Sequence, residues 1–355
     1  MIESHSIIKH AVEFQNCLMD WYQKEARDLP WRTDSSPYKV WISEIMLQQT
    51  RVDTVIPYFI RFISEISTVQ ELAQVPEEKL LKLWQGLGYY NRALNLKKAA
   101  QIIIKEFNGQ IPSDIKDLLS LPGIGEYTAG AIASIAFGKA VPAVDGNVLR
   151  VIARLTAHRG DISDSKGKKQ IESVVMDILS SEKTGMFNQA LMDLGAMICL
   201  PNGEPKCSQC PVKEYCMAYR QGLTSEIPMK KEKKVRRIEK KTVLLLCFNG
   251  KYALQKRKEG GLLPNLWEFP SFEGHLTKEQ CISSLKELGM IPKEVKRLKA
   301  SKHIFSHLEW HMKGFFVFVS EIPDSLEFIW ATKEEIEHKY SIPTAFQDFI
   351  KSMSL

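Results

Sequence analysis

Long apolar runs are absent from this chain of 355 residues. No run approaches the ~20 consecutive apolar residues that a membrane-spanning helix needs, so the sequence predicts no membrane association. The first residues, Met1–His10, lack the basic segment followed by an apolar core that is typical of a secretory signal peptide. We therefore expect a cytoplasmic location.

Cysteines are scarce outside one stretch, since four of the seven lie between residues 199 and 216. A disulfide scaffold would spread them along the chain and would need an oxidising compartment. The four are spaced C-x7-C-x2-C-x5-C: Cys199, Cys207, Cys210 and Cys216. Four thiolates so close together suit an iron–sulfur cluster or a tetrahedral zinc ion, and the single close couple favours iron–sulfur. The others are predicted to be core thiols: Cys17, Cys247 and Cys281.

Strand patterns are absent before residue 240. Through residues 1–225 the apolar spacing is helical, and residues 225–241 carry eight Lys or Arg against three Glu, which predicts a solvated basic linker. From Thr242 the pattern changes, with Asn249-Gly250 predicting a hairpin turn between two short strands. Further strands are predicted at His303–His311 and Phe315–Val319, and helices near 278–288 and 344–352. The second part is therefore expected to be α+β.

Two glycine turns interrupt the helical part. Gly123 and Gly125 lie between a helix ending at Ser120 and one restarting near Tyr127, and the run Trp84–Arg92 repeats the pattern. Such a turn leaves backbone N–H groups free at a helix start, where a phosphate can approach closely. Basic residues follow the second turn: Arg92, Lys97 and Lys98. With a net charge of +6, the two turns predict backbone grips on a nucleic acid, although each could also be an ordinary packing joint.

Two carboxylates are candidates for chemistry. Glu44 is the only charge in the apolar run Val40–Thr50, where burial would raise its pKa. Asp145 precedes the helical run Val148–Leu155 at an N-cap position, where the helix dipole favours the ionised form. The alternatives are a Glu44 that reaches solvent or pairs with an arginine, and an Asp145 that is only a cap.

These motifs together resemble the MutY-type adenine DNA glycosylases of the helix-hairpin-helix superfamily, over nearly the whole chain. The resemblance rests on Glu44 within Ser-Glu-Ile-Met-Leu-Gln-Gln-Thr, the hairpin 121–127, Val144-Asp-Gly-Asn147, the four cysteines and Phe305-Ser306-His307. One departure is that seven residues separate Cys199 from Cys207, where the family usually has six.

The resemblance implies a multi-domain protein. An iron–sulfur domain would comprise residues 1–28 and 138–224, a six-helix domain with the helix-hairpin-helix residues 29–137, the basic linker residues 225–241, and a MutT-like domain residues 242–355. It also implies one 4Fe–4S cluster on the four cysteines, a monomer, and a substrate of duplex DNA with adenine opposite 8-oxoguanine or guanine. Such a protein would lie near the bacterial nucleoid.

It also implies roles for particular residues. Glu44 would protonate adenine, Asp145 would stabilise an oxocarbenium-like sugar, and Tyr127 and Asn147 would orient water or carboxylate. Gly123 and Gly125 would hold the DNA backbone. The substrate would be contacted by Leu29, Trp31, Gln49, Thr50, Tyr89 and Gln189 around adenine and in the base stack, and by Phe305, Ser306 and His307 at the oxidised base.

Two alternatives remain open. An endonuclease III-like lyase on oxidised pyrimidines would have lysine in place of Tyr127, and a catalytically silent iron–sulfur DNA-binding protein would use both acids only structurally. In the C-terminal part, Ile282–Gly289 keeps one of the three glutamates of a Nudix metal helix. We therefore expect this domain to read the oxidised base rather than to hydrolyse nucleotides.

Overall fold

The computed structural model describes residues 5–229, 235–258, 260–323 and 326–354. They fold into two compact units, one of Met1–Gln74 with Asn95–Glu232 and the other of Val75–Leu94 with Lys233–Leu355. Within the second unit, Lys82 Nζ donates to the carbonyl oxygen of Tyr340 and Gln85 Nε2 to that of Ile342, each at 3.0 Å. No helix in the described ranges combines the length and hydropathy needed to cross a membrane.

The chain is helical up to residue 220, in agreement with the apolar periodicity. Its α-helices are α1 (His5–Lys9), α2 (Ala11–Glu25), α3 (Pro37–Leu47), α4 (Val52–Glu65), α5 (Val69–Gln74), α6 (Glu77–Trp84), α7 (Asn91–Glu106), α8 (Ile115–Ser120), α9 (Glu126–Ala131), α10 (Gly146–Leu155), α11 (Ser165–Asp177), α12 (Thr184–Met197) and α13 (Met217–Arg220). A π-helical turn, Ile132–Ala136, continues α9.

The core of the helical unit gathers α2, α10, α11 and α12. Phe14 and Leu18 of α2 are fully buried against apolar residues of the other three helices, among them Ile152, Ile171 and Leu191. This packing follows from the apolar stripe on each helix and fixes the N-terminus of α10 beside α12. It thereby positions Asp145, the residue immediately before α10.

The C-terminal part is α+β, as expected. Its elements are β1 (Arg237–Phe248), β2 (Lys251–Lys256), β3 (Trp267–Glu268), β4 (Ser271–Glu273), α14 (Lys278–Glu287), β5 (Pro292–Ile304), β6 (Leu308–Val319), β7 (Ile329–Ala331), α15 (Lys333–His338) and α16 (Gln347–Lys351). The sheet order is β3-β2-β1-β6-β5, with β4 on β1 and β7 on β2. β1 and β6 run parallel, while the other strand pairs are antiparallel.

Several predicted boundaries differ from the structure. β1 starts at Arg237, inside the predicted linker 225–241, because its first residues pair with β6 although they are polar. Residues 230–234 of that linker lie outside the described residues. The predicted strand His303–His311 is interrupted at 305–307, where β5 turns into β6. By contrast, the hairpin at Asn249-Gly250 is confirmed, and both residues have the positive φ that its tight turn requires.

Candidate active site

A deep cavity of about 930 Å³ opens in the helical unit. Its walls come from the loop before α3, from α3, from the start of α9, from the N-terminus of α10 and from α12. The structure brings ten of the predicted site residues to this cavity: Leu29, Trp31, Glu44, Gln49, Thr50, Gly125, Tyr127, Asp145, Asn147 and Gln189. The cavity is large enough for a small-molecule ligand, or for a single base turned out of a duplex.

Glu44 is buried within α3, where only 5% of the residue is exposed. The pKa of its carboxyl is raised to about 7: burial is the main cause and the nearby Asp145 adds to it, while the Tyr127 hydroxyl and the Arg32 charge oppose the rise. The Tyr127 hydroxyl donates to Glu44 Oε2 from α9. Among the described residues no arginine forms an ion pair with this carboxyl, and with a pKa of about 7 it can hold or release a proton at neutral pH.

Asp145 caps α10, as its position predicts. Its Oδ1 accepts from the backbone N–H groups of Asn147 and Val148 at 2.9 and 2.8 Å, and its Oδ2 accepts from Asn147 Nδ2 at 2.7 Å. Burial outweighs these donors and raises the pKa of Asp145 above its ordinary value. The expectation that the two acids shift in opposite directions is therefore wrong. They differ in their partners, because three N–H groups favour the ionised Asp145 and only one phenol faces Glu44.

Arg150 connects this cap to the cysteine loop. Its Nη2 donates to Asn147 Oδ1 at 2.9 Å and to the carbonyl oxygen of Gly195 at 2.7 Å, and its Nε donates to the carbonyl oxygen of Cys199 at 2.8 Å. Gly195 allows this approach, because a Cβ there would lie 2.6 Å from the Cβ of Asn147. Sequence reasoning missed Arg150, since an arginine on an amphipathic helix usually faces solvent.

A buried ion cluster fixes the loop that carries Leu29 and Trp31. Asp193 of α12 is fully buried, and it accepts from Arg32 Nη1 at 2.8 Å and Arg32 Nη2 at 2.9 Å, and from Arg27 Nε at 2.9 Å. A carboxylate this deep is stable only because both arginines neutralise it. The sequence does not indicate this cluster, because Asp193 lies more than 160 residues from both arginines.

Asn188 holds the segment that leads to Asp145. This fully buried amide donates to Ser134 Oγ at 2.9 Å and to the Val141 carbonyl oxygen at 3.0 Å, and its Oδ1 accepts from the N–H of Ala143 at 3.2 Å. Both N–H donors of the Asn188 amide and one of the two lone pairs of its oxygen are therefore used by protein groups. Its neighbour Gln189 lines the cavity instead.

The predicted helix Val40–Thr50 is three residues too long, because α3 ends at Leu47. Gln49 has a φ of +61°, in the left-handed region that a residue with a side chain rarely adopts. Thr50 also lines the cavity. Strained backbone of this kind clusters at functional sites.

The first glycine turn joins α8 to α9, as predicted. Gly123 has a φ of +83° and Gly125 caps α9 with its backbone, which leaves the first N–H groups of that helix without a side-chain cap. Gly125 lines the cavity, whereas Gly123 does not. The turn therefore offers backbone donors beside the cavity.

The second glycine turn precedes α7. Tyr89 has a φ of +49° and is 49% exposed, so its ring is available to a partner. Arg92 does not serve as the predicted phosphate contact, because it is buried and its Nη2 donates to the carbonyl oxygens of Leu87 and Gly88 at 3.2 and 3.1 Å. Arg92 thus stabilises the glycine turn that precedes α7.

The four clustered cysteines line one small cavity of about 30 Å³: Cys199, Cys207, Cys210 and Cys216. Burial raises the pKa of Cys210 to about 12 and that of Cys216 to about 11. Arg154 Nη1 lies 3.2 Å from Cys199 Sγ and places a positive charge beside the sulfurs. Within the described ranges, no three His, Cys, Asp or Glu side chains converge on one ion position. Four thiols around one cavity form a donor set of the kind that binds an iron–sulfur cluster or a zinc ion.

Of the three isolated cysteines, Cys247 and Cys281 are buried as predicted. Cys17 is exposed, so its prediction as a core thiol is wrong. It lies on the solvent side of α2, whose apolar stripe is formed by Phe14, Leu18 and their neighbours.

Phe305, Ser306 and His307 form the turn between β5 and β6. The Phe305 N–H donates to the carbonyl oxygen of Leu308 at 2.8 Å, and the Phe305 ring meets the Trp310 ring edge-on at 4.9 Å. Ser306 and His307 are exposed. The turn thus has an anchored aromatic ring and two exposed polar side chains, with Ser306 Oγ 3.5 Å from His307 Nδ1.

The chain is similar to known proteins along most of its length. Residues 42–177 match the HhH-GPD superfamily of base excision DNA repair proteins, and residues 242–352 match the NUDIX domain. The adenine DNA glycosylase of Buchnera aphidicola from Schizaphis graminum is 39% identical over 309 residues, covering 86% of this chain and 88% of that protein. This chain belongs to the adenine DNA glycosylase family. The human adenine DNA glycosylase is 33% identical and covers 98% of this chain and 75% of its own length.

Solved structures agree with the helical fold of this family member. A thermostable thymine-DNA glycosylase aligns with a TM-score of 0.55 at 31% identity, and an endonuclease III in a non-covalent DNA complex aligns with a TM-score of 0.51 at 26% identity. Each alignment covers 60% of this chain and 98% of the solved chain. The predicted helical glycosylase fold followed by a Nudix-like α+β part is thereby confirmed.

Proposed function

We propose that this adenine DNA glycosylase removes adenine paired with 8-oxoguanine, and with guanine, from duplex DNA. The activity class, hydrolysis of an N-glycosidic bond in base excision repair, is that of its family. The proposal rests on one observation above the others. Glu44, whose pKa is raised to about 7, and Asp145, held by three N–H donors, line the same cavity.

Glu44 is the proposed acid. Adenine leaves poorly as an anion, so protonation at N7 must accompany cleavage of the bond to C1′. A carboxylic acid with a pKa near 7 holds its proton until the base reaches it and then gives it up readily. The Tyr127 hydroxyl fixes the orientation of the carboxyl through Oε2.

Asp145 is the proposed stabiliser of the sugar. As the bond to adenine breaks, C1′ gains positive character and a carboxylate beside it lowers the barrier. Asn147 holds one oxygen of Asp145 through its side-chain amide and the other through its backbone N–H. Water then adds to C1′ and loses a proton to the carboxylate, which leaves an abasic site and neutral adenine.

Tyr127 supports a monofunctional enzyme. A lyase forms a Schiff base between an amine and the sugar, and a phenol cannot do so. Borohydride should therefore trap no covalent complex with DNA. An endonuclease III-like alternative would instead cut a thymine glycol duplex and would trap efficiently.

The four cysteines are proposed to bind one 4Fe–4S cluster. Cys199, Cys207, Cys210 and Cys216 supply a donor set of the right chemistry around one cavity. When bound, the cluster supplies iron–thiolate bonds that cross-link the loop 199–216. Lys206 and Lys213 on that loop would then face DNA phosphates.

The exposed turn of Phe305, Ser306 and His307 is the proposed reader of 8-oxoguanine. Hydroxyl and imidazole groups can hydrogen-bond to the altered N7 and C8 edge, and Phe305 offers an apolar surface. Gln49 and Tyr89 are proposed to enter the base stack, and Leu29, Trp31, Thr50 and Gln189 to contact the extruded adenine. Domain limits at residues 28, 137, 224 and 241, a monomeric state and a cytoplasmic location near the nucleoid stay predictions.

A glycosylase assay under single-turnover conditions tests the proposed function. Duplexes with adenine opposite 8-oxoguanine and opposite guanine should lose adenine, whereas a thymine glycol duplex should remain uncut. Glu44→Gln should bind the first duplex but lose most activity. An undiminished rate in that variant would remove Glu44 from the acid role, and no adenine release by the wild-type protein would overturn the function.

A further inference from the structure

Near the β5–β6 turn, one face of the C-terminal sheet carries exposed side chains among the described residues. The buried cluster of Leu244, Leu246, Phe315, Val317 and Val295, which packs with Cys281 and Leu285 of α14, covers this face at the other end of the sheet. Beyond it, His275 Nε2 lies 2.9 Å from the carbonyl oxygen of His311, where the segment after β4 crosses the strands. Among the described residues, the two cross-strand rows nearest the turn lie beyond the apolar cluster, and His275 reaches only the second of them.

These two rows form what we call the basic face. The first row is Ile238 of β1, Glu309 of β6 and Ile304 of β5, and the second is Lys240, His311 and Lys302 on the same strands. Strand alternation places all six on the side of the sheet that carries Phe315 and Val317. Ile238 and Ile304 are 54% and 52% exposed.

Positive charge exceeds negative charge on this surface. Glu309 is its only carboxylate among the six, and it pairs with Lys302 at 2.6 Å, with His311 at 3.2 Å and with Arg236 at 3.7 Å. Lys240 adds a further exposed cation. The single carboxylate of Glu309 therefore cannot neutralise Lys302, Arg236 and Lys240 together.

Protection of an exposed sheet edge does not explain this charge. Lysines on an edge strand discourage pairing with another chain, which accounts for Lys302 on β5. Lys240 lies on β1 and is already paired on both sides, with β6 and with Gly274, whose N–H donates to its carbonyl oxygen at 2.8 Å. The Lys240 side chain therefore projects from the face of the sheet and does not protect an unpaired edge.

We propose that the basic face is a docking surface for the sugar–phosphate backbone of the DNA substrate. Lys240, Lys302 and Arg236 match the phosphates in charge, and the two isoleucines offer apolar surface to the deoxyriboses. The inference rests on the proposed function of the turn 305–307, because β5 and β6 run directly from this surface into that turn. The face holds the strand by its backbone while the turn reads one base, which separates positioning from specificity.

A pair of charge-matched double variants tests this proposal in the full-length protein. Lys240→Gln with Lys302→Gln removes two cations from the face, and Lys251→Gln with Lys286→Gln removes two exposed cations from elsewhere in the same unit. Affinity for an undamaged duplex is measured by fluorescence anisotropy over a range of salt concentrations. The first variant should bind about 5- to 20-fold more weakly and should lower the slope of log K against log salt by about 2, and the second should change neither.

A second pair tests the apolar part of the surface. Ile304→Glu lowers the net positive charge of the face without removing any ion pair, and Ile291→Glu makes the same change at an exposed isoleucine (46%) beyond the opposite end of β5. Affinity should fall at least tenfold in the first and stay within about twofold in the second. Equal effects of the face variant and its control in both pairs would overturn the proposal.

Failure of the basic-face proposal can be distinguished from failure of the proposed function, because the two tests have different readouts. Phosphate contacts carry no base information, so the loss should be equal on undamaged and 8-oxoguanine duplexes, and excision at saturating enzyme should keep its wild-type rate. If the wild-type protein shows no selectivity for adenine opposite 8-oxoguanine, that result contradicts the proposed role of the turn 305–307. It does not bear on the proposed role of the basic face. If the double variant also unfolds at lower temperature, Lys240→Arg with Lys302→Arg must restore affinity, and failure to do so overturns the proposal.

Discussion

Arg150 and Asn147 are joined by a hydrogen bond of 2.9 Å from the guanidinium Nη2 to the amide Oδ1. The same arginine donates to the carbonyl oxygen of Cys199, while Asn147 donates to Asp145. Arg150 does not line the cavity, yet it connects the proposed catalytic carboxylate with the first cysteine of the loop 199–216. The orientation of Asp145 thus depends on a residue that does not reach the substrate.

Arg150→Gln should slow adenine excision about 10- to 100-fold, because Asn147 loses its partner and Asp145 can shift within the cavity. Affinity for DNA should remain within about twofold, since no phosphate contact is removed. Single-turnover kinetics on adenine opposite 8-oxoguanine, at iron content equal to that of the wild type, measures the effect. The exposed Arg159→Gln serves as the control, and a wild-type rate in Arg150→Gln would show that Asp145 is held without it.

The excision rate should fall as the pH rises through about 7. Glu44 acts in its protonated form, and its pKa of about 7 means that this form is lost above neutrality. Toward acid pH the rate should fall again as Asp145, whose pKa is also raised, takes up a proton. Rates measured from acid pH to about pH 9 should therefore give a bell-shaped profile, and Glu44→Gln should lack its alkaline limb. A wild-type rate that increases steadily with pH would contradict the acid role.

Glu44→Gln should stabilise the protein at alkaline pH. The folded-state pKa of about 7 lies above the ordinary value of 4.5, so the folded state binds the proton more tightly. That contribution to stability is fully present below about pH 4.5 and is lost as the pH rises through 7. At pH 8 the ionised carboxylate then costs up to about 3 kcal/mol, which the neutral amide avoids while still accepting from Tyr127.

Thermal unfolding at two pH values measures this difference. The melting temperature of Glu44→Gln should exceed that of the wild type at pH 8 and should match it near pH 4.5. The exposed Glu13→Gln provides a control that should change neither value. A lower melting temperature for Glu44→Gln at pH 8 would mean that the carboxylate is compensated in the fold.

Asn188→Ala should destabilise the helical unit by about 2–4 kcal/mol, because it leaves the Val141 carbonyl, the Ala143 N–H and Ser134 without their buried partner. Excision should also slow, since the freed segment leads to Asp145. Asn188→Asp keeps the acceptor for Ala143 and loses both donors, so its effects should have the same sign. Denaturant unfolding and single-turnover rates measure both effects, with the exposed Asn202→Ala as control. Unchanged stability in Asn188→Ala would contradict the bracing role.

Local patterns were sufficient to predict the features whose cause is local. Burial of Glu44 follows from the apolar residues around it in α3, and the cap at Asp145 follows from the two residues after it. The turn at Asn249-Gly250 and the glycine turn before α9 likewise depend on a few adjacent residues. In each case the residue types that set the geometry are neighbours in the sequence.

Features that depend on distant residues could not be predicted in this way. Tyr127 reaches Glu44 only because α9 packs beside α3, and Arg150 and Asn188 read in the sequence as ordinary polar residues of helices. β5 was largely missed because only Val295 and Leu298 are buried along it, so its edge position hides the alternation. The raised pKa of Asp145 was missed because its N-cap position shows the donors but not the depth of the cavity.

The parallel pairing of β1 with β6 has a consequence for synthesis of the chain. β1 is the first strand of its sheet to leave the ribosome, but its long partner is the sixth, and the two match from Arg237 to Cys247. Contacts so distant in sequence form slowly and leave the β6-facing edge of β1 unpaired while translation continues. The nascent β1 therefore presents one open edge during this interval, and its charged residues at 237 and 239–241 protect that edge from aggregation before the sheet can close.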